Sequence, residues 1–296
     1  MTPARAALRA MQSAVLGWYA DHARPLAFRR TADPWSVLLS EVIAQQTQAA
    51  RAAEAWTRLI AEFPTPAALA AVSPATAIRA WRGLGYNRRA VALRAAAIAI
   101  VDEHGGRVPD TFESLVRLPG IGPYTARAVL AIAFDRDVAA LDTNIRRVVG
   151  RAMLGEPASV PSRGFQALAD GFVPRGRAAM WTHALMDIGA AFCRKRDPRC
   201  GACPLATHCR YLAAGRPPEQ PRAARPPAQP FPSTSRWLRG RILDRLRDAP
   251  DGAWVSIDAP IGAHDQATID RVLAEMASQG MVVLHPDLMH EAALPR

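Results

Sequence analysis

The sequence predicts an all-α body followed by a small α+β module. Three observations carry that reading. From Pro34 to about Leu212, apolar residues recur at helical spacing and strand-like alternation is scarce. The breaks between these stretches are short and rich in proline and glycine, at Pro64–Pro66, Ser73-Pro74, Gly83–Gly85, Gly105-Gly106 and Leu118–Pro123. After residue 235 the pattern changes to helix, strand, helix, strand.

In chain order, residues 1–20 read as an amphipathic helix with Leu8, Met11, Val15, Leu16 and Trp18. Asp21 to Asp33 is a polar, proline-broken loop. Ser73 before Pro74 is an N-cap followed by proline at the first helical position. Thr125 to Phe134 is made of Ala, Val, Ile and Leu without a breaker, and reads as a buried helix. Residues 213–235 hold Pro217, Pro218, Pro221, Pro226, Pro227, Pro230 and Pro232 among Arg, Ala and Gln. That composition cannot bury enough apolar surface to pack, so an extended or disordered linker is expected. Beyond it, Trp237–Leu246 and Gln266–Ser278 read as helices, and Trp254–Ile257 and Met281–Leu284 as strands. Their order resembles a small winged-helix module. The organisation expected is a core over 1–212, a linker over 213–235 and a module over 236–296.

Lys+Arg number 37 against 26 Asp+Glu, a net charge of +11. This points to a polyanionic partner, nucleic acid before membrane. Nearly all of the positive charge is arginine and Lys195 is the only lysine, so an arginine-rich codon bias contributes. Residues 1–20 lack a secretory-leader pattern, and no stretch is long and apolar enough to span a bilayer. A soluble, cytoplasmic, nucleoid-associated monomer is expected.

All four cysteines fall within seventeen residues, as Cys193, Cys200, Cys203 and Cys209, with spacing C-x6-C-x2-C-x5-C. Four clustered thiolates suit a tetrahedral soft-metal site. Ligand type alone leaves zinc and an iron–sulfur cluster both open. Arg194, Lys195, Arg196 and Arg199 lie between the ligands, where they would offset cluster charge or face phosphates.

At Leu118-Pro119-Gly120-Ile121-Gly122-Pro123 two glycines permit a tight turn that feeds a helix start. Free N–H groups at such a start face an anion well, and a DNA phosphate is the expected one. Glu41 lies in an otherwise apolar helical stretch with Trp35, Val37, Leu38, Leu39, Val42 and Ile43. Two readings stand at this point. Glu41 is either on a solvated face or buried, in which case burial raises its pKa toward that of a general acid near neutral pH.

Together these motifs resemble the adenine DNA glycosylase family of helix-hairpin-helix repair enzymes. The resemblance is carried by the hairpin, by Leu141-Asp142-Thr143-Asn144 some twenty residues later, by the cysteine spacing after Met186-Asp187-Ile188-Gly189, and by Ser40-Glu41-Val42-Ile43-Ala44-Gln45-Gln46-Thr47. It covers residues 1 to about 212. It implies a two-lobed all-α glycosylase fold, with a six-helix lobe over about 22–134. A cluster lobe would comprise 1–21 and 135–212, and duplex DNA would lie between the lobes. The cofactor it implies is a [4Fe–4S] cluster on the four cysteines.

The resemblance also assigns roles. Glu41 would protonate the flipped purine at N7 and help position water, and Asp142 would stabilise the oxocarbenium-like sugar, by electrostatics or by a transient covalent bond. Tyr124 and Asn144 would orient these two carboxylates. Gln46 and Thr47 match a duplex-penetrating segment, and Gly83-Leu84-Gly85-Tyr86 a loop whose tyrosine wedges beside the lesion. Arg82, Arg88 and Arg89 surround that loop and would face DNA, and Gly120 and Gly122 would approach the backbone of the DNA. Leu26, Phe28 and Arg29 match a base-pocket loop. His183 stands where the family often reads the adenine edge with Gln or Glu. Bifunctional relatives carry a Schiff-base lysine after the hairpin proline, and Tyr124 stands there instead. Phe28 replaces a usual Trp, Ala44 a usual Leu, and a NUDIX-like 8-oxoguanine reader domain has no counterpart in residues 236–296. The function implied is a monofunctional glycosylase removing adenine opposite 8-oxoguanine or guanine. Two rivals are the same chemistry on a deaminated purine and a non-catalytic iron–sulfur DNA-binding regulator.

Overall fold

A computed structural model describes residues 3–155, 162–216 and 229–296. Its helices are α1 (Pro3–His22), α2 (Pro34–Ala44), α3 (Ala49–Glu62), α4 (Pro66–Ala70), α5 (Pro74–Ala80), α6 (Arg88–His104) and α7 (Phe112–Arg117). There follow α8 (Pro123–Ala133), α9 (Thr143–Val149), α10 (Ser162–Asp170), α11 (Ala178–Ala191), α12 (Arg210–Ala213), α13 (Ser235–Asp248) and α14 (Gln266–Ser278). The strands are β1 (Val255–Ser256), β2 (Val283–Leu284) and β3 (Glu291–Ala293).

The described residues fall into two compact units. The first draws on 1–41, 110–117 and 121–222, the second on 42–109, 118–120 and 223–296. In the first, Met11, Val15 and Tyr19 line one face of α1 at four-residue spacing and enter a core with Val148, Phe165, Trp181, Leu185 and Ile188. Helix α8 is buried almost all round, through Ala126, Ala128, Val129, Leu130, Ala131 and Ile132, as its unbroken apolar run requires. Pro123 takes its first turn, where a missing N–H costs nothing.

In the second unit, Thr65 caps α4 by accepting from Ala68 N, and Ser73 caps α5 by accepting from Thr76 N. Gly105, with φ of 60°, ends α6 in the left-handed conformation. The C-terminal residues form helix, strand, helix and a three-stranded antiparallel sheet of order β1-β3-β2. Val255 pairs with Ala292, and Leu284 with Ala292 on the other side. β3 was not legible beforehand: Glu291-Ala292-Ala293 lacks β-branched residues, and pairing on both sides holds it as a strand.

This module shares its core with the helices before it. Ala75, Ile78 and Val91 pack with Leu238, Ile242, Leu246 and Ile269. The Ala75 amide donates to the Pro295 carbonyl at 2.9 Å. Arg247, 7% exposed, donates to Ile78 O at 2.9 Å and to Asn87 Oδ1 at 2.8 Å. Removing the module would uncover fully buried Ile78, a side chain whose burial is worth about 1.5–3 kcal/mol. Of the segment read as a linker, residues 217–228 lie outside the described residues.

Candidate active site

Glu41 lies near the end of α2 and is 8% exposed. Of the two sequence readings, the buried one holds. Burial pushes its pKa up to about 7, a hydrogen bond from Tyr124 lowers it, and the charge of Asp142 raises it again. Tyr124, in the first turn of α8, is held well above the ordinary phenol range by its own burial and by the two carboxylates. The phenol therefore stays a neutral donor to Glu41.

Asp142 is the N-cap of α9. Its Oδ1 accepts from Ile145 N at 2.5 Å, and its Oδ2 accepts from Asn144 Nδ2 at 3.1 Å. Burial raises its pKa, while the Ile145 amide and Asn144 oppose the rise. The cap and the helix dipole thus hold a partly desolvated carboxylate in one orientation. Asn144 is oriented in turn by Arg147, whose Nη2 donates to Asn144 Oδ1 at 2.8 Å and to Gly189 O at 2.8 Å. Since Oδ1 accepts from Arg147, the amide nitrogen must face Asp142.

The loop before α2 forms a 3-10 turn, Ala27–Arg30, that carries Phe28 and Arg29 and is preceded by Leu26. Arg29 makes a bidentate pair with Asp187, at 2.7 and 2.9 Å, and Arg24 Nε adds a third bond at 2.5 Å. Asp187 is 2% exposed, and Arg29 holds its carboxyl below the usual range despite burial. Arg29 also lies near enough to Glu41 to favour its ionised form. His183, on α11, is buried, and burial with Arg29 pushes it down to about 3. It is a neutral imidazole at any physiological pH.

Asp187 and Gly189 lie in Met186-Asp187-Ile188-Gly189, but the motif does not announce what they hold. A carboxylate among Trp181, Leu185 and Ile188 was the available signal. Gly189 admits α9, because a Cβ there would stand 2.7 Å from the Asn144 Cβ.

The four cysteines, all half-buried, line one recess with Arg151, Phe192 and Tyr211. No set of three or more His, Cys, Asp or Glu among the described residues is disposed to hold a metal ion as it stands. The donor chemistry nevertheless suits a cationic centre. Burial and the neighbouring thiolates push Cys203 up to about 11, and burial raises Cys209 as well. Held in one recess, these thiols need positive charge to ionise together. Arg151, 2% exposed on the π-helical turn Gly150–Leu154, donates to Arg194 O at 2.7 Å and to Cys193 Sγ at 3.6 Å. Arg147 Nε donates to Cys193 O. Neither arginine was singled out from sequence.

The second unit carries Gln46, Thr47, Tyr86 and Arg88. Gln46 is exposed with φ of 54°, and Tyr86 is 37% exposed with φ of 44°. Left-handed backbone at a non-glycine residue is uncommon, and Asp135, Asp197, Arg216 and His290 share it among the described residues. Arg88 is exposed. Arg89 and Arg82, expected to face DNA, are engaged within the protein. Arg89 donates to Val42 O, Ile43 O and Gln45 O at 2.7–2.9 Å and to Leu84 O and Gly85 O at 3.1 Å. It ties off the carbonyls at the end of α2 and reaches Thr47 Oγ1 at 3.4 Å. Arg82 pairs with Asp248 at 2.5 Å.

In the hairpin, Gly120 has φ of 75°, and a Cβ there would sit 2.7 Å from the Ala92 Cβ. Gly122 is different: its φ is −90°, and a Cβ would meet nothing of the protein within 4 Å. Among the described residues no helix is long and apolar enough to cross a membrane.

Residues 39–169 match the HhH-GPD superfamily of base excision DNA repair proteins, a span that includes Glu41, Tyr124 and Asp142. The adenine DNA glycosylase of Mycolicibacterium smegmatis is 41% identical over 271 residues, covering 90% of this chain and 91% of that protein. The human adenine DNA glycosylase is 35% identical over 217 residues, 69% of this chain and 40% of the human protein. Among solved structures, a thermostable thymine-DNA glycosylase superposes with a TM-score of 0.67 at 25% identity, over 72% of this chain and all of that one. A non-covalent endonuclease III–DNA complex gives 0.61 at 23% identity, over 73% of this chain and 99% of that one, and shares the fold.

The contact of Gly189 with Asn144 predicts that Gly189→Ala forces α9 and α11 apart. Overpacking of this kind costs about 1–3 kcal/mol. A lowered thermal unfolding midpoint is expected, and an unchanged one would show that Asn144 is not held by this contact.

Proposed function

We propose that this chain, which belongs to the adenine DNA glycosylase family of base excision DNA repair proteins, hydrolyses the N-glycosidic bond of adenine opposite 8-oxoguanine or guanine in duplex DNA. The observation that carries the reading is the buried Glu41 carboxyl, held near 7 beside Tyr124 and a second, separately oriented carboxylate, Asp142. Two carboxyl groups in different environments are what an acid and an anion at a glycosidic bond require.

The purine must first leave the stack. Leu26, Phe28, Arg29 and neutral His183 would form its pocket, with Arg29 fixed by Asp187. Glu41 then gives its proton to N7. The C1′–N9 bond breaks with its electron pair going to the base, and adenine leaves neutral. Asp142, as the carboxylate, stabilises the positive sugar. Water adds to C1′ and its proton passes to Glu41, restoring the acid. Tyr124 stands where a Schiff-base lysine would act, and Lys195 is the only lysine, so the strand is left intact at an abasic site. Glu41 is protonated below about 7 and loses its proton above it, so excision should fall as pH rises through that value. His183 is neutral throughout and adds no limb to the profile.

Gly120, Gly122 and the first amides of α8 would receive a backbone phosphate. The empty space before Gly122 supports this, since nothing in the protein itself requires a glycine there. Gln46, Thr47, Tyr86 and Arg88 would enter or flank the duplex. Cys193, Cys200, Cys203 and Cys209 would hold a [4Fe–4S] cluster. When bound, it would cross-link the loop and supply a centre whose charge favours the thiolates.

Glu41→Gln should lower single-turnover excision by roughly 10²-fold or more while duplex binding survives. The assay pairs adenine and deaminated purines with each opposite base. Near-normal rates in the variant would remove Glu41 from the mechanism, and a preference for deaminated purines would replace adenine as substrate. For the cofactor, protein purified without oxygen should be brown, with about four irons per chain. Colourless protein holding stoichiometric zinc would contradict the cluster.

A further inference from the structure

We infer that Arg236, from the C-terminal module, positions Tyr86 for contact with the base opposite the adenine. The inference rests on the reading above, in which Tyr86 enters the duplex.

Tyr86 sits in a turn of left-handed backbone. Gly83 and Gly85 have φ of 84° and 65°, and Tyr86 itself has φ of 44°. The ring is exposed, so little of its motion is restrained by packing. Three groups hold it. Arg89 binds the carbonyls of Leu84 and Gly85 from beneath and lies 5.9 Å from the Tyr86 ring. Arg236, at the start of α13, stacks its guanidinium 4.1 Å from the ring centroid and donates to the phenol oxygen at 2.9 Å. Phe231 backs the same guanidinium at 5.7 Å.

The arrangement fixes both the plane of the ring and the direction of its hydroxyl. A guanidinium can do both at once because it is planar: its face lies against the ring while an N–H at its edge reaches the oxygen. Binding then no longer has to meet the full entropic cost of ordering that side chain. The module itself has poor means of reading DNA with its second helix. Among the exposed positions of α14 the one cation is Arg271, and it is paired with Glu275 at 2.9 Å. Its contribution instead passes through Tyr86. Arg239, Arg241 and Arg247 of α13 are paired with acidic residues of the module, whereas Arg236 turns to the tyrosine.

A double-mutant cycle on the full chain tests this. The quantity read is the ratio of single-turnover excision of adenine opposite 8-oxoguanine to that opposite guanine, at subsaturating protein. Tyr86→Ala should reduce the ratio by roughly 5- to 150-fold, up to the whole of the wild-type preference. Arg236→Ala should reduce it by roughly 2- to 5-fold. In the Tyr86→Ala background, Arg236→Ala should cause no further loss. The exposed Arg236→Ala should leave the thermal midpoint where it is, which separates positioning from folding. If Arg236→Ala raises the ratio, the contact restrains the tyrosine and the inference is overturned. An unchanged ratio, or an additive loss in the double variant, also overturns it. If Tyr86→Ala itself changes nothing, the wedge reading falls and the role of Arg236 falls with it.

Discussion

Glu41 is buried beside a second carboxylate, and its surroundings push its pKa up to about 7 without leaving it unpartnered. Desolvation alone would make that acid costly. Tyr124 offsets part of the cost by donating to it, and the phenol can do so because the same burial keeps it neutral. Asp142 is kept apart in character. The N-cap bond from Ile145 and the amide of Asn144 favour its charged form, so two neighbouring carboxyl groups need not share one state. The positions of α2, α8 and α9 are therefore all answerable to one local electrostatic arrangement.

Arginine supplies much of the scaffolding for that arrangement. Arg29 and Arg24 hold Asp187, Arg147 holds Asn144 and the cysteine loop, and Arg151 lies beside Cys193. In the second unit Arg89 closes the end of α2 and Arg247 joins α13 to α5. Arg89 is pushed down to about 10 by burial and remains charged at neutral pH. The net charge of +11 is thus only in part a surface for a polyanion. The flat guanidinium reaches several carbonyls at once, which explains how a chain with one lysine spends so many cations on its own backbone.

Most of the fold was legible because its signals are local. Proline and glycine mark the helix ends, and Ser73, Thr125–Phe134 and Gln266–Ser278 behave as their patterns require. Of the candidate site, the motifs pick out Glu41, Tyr124, Asp142 and the four cysteines; the fold brings the first three together and places the cysteines in one recess. What could not be read were partnerships between distant residues. Nothing local distinguishes Arg89, which faces inward, from Arg88 beside it, which is exposed. Nothing in Ser235-Arg236-Trp237 announces a tyrosine 150 residues earlier. The strand β3 was equally hidden, since its identity comes from its neighbours and not from its own alanines.

The central claim is that Glu41 is an acid at neutral pH, and its titration tests that directly. Carboxyl carbon resonances of protein labelled with ¹³C at glutamate would be followed against pH, with Glu41 identified by its loss in Glu41→Gln. A midpoint of about 7 is predicted. A midpoint in the ordinary range, about 4, would mean that Glu41 is ionised at neutral pH and cannot be the proton donor.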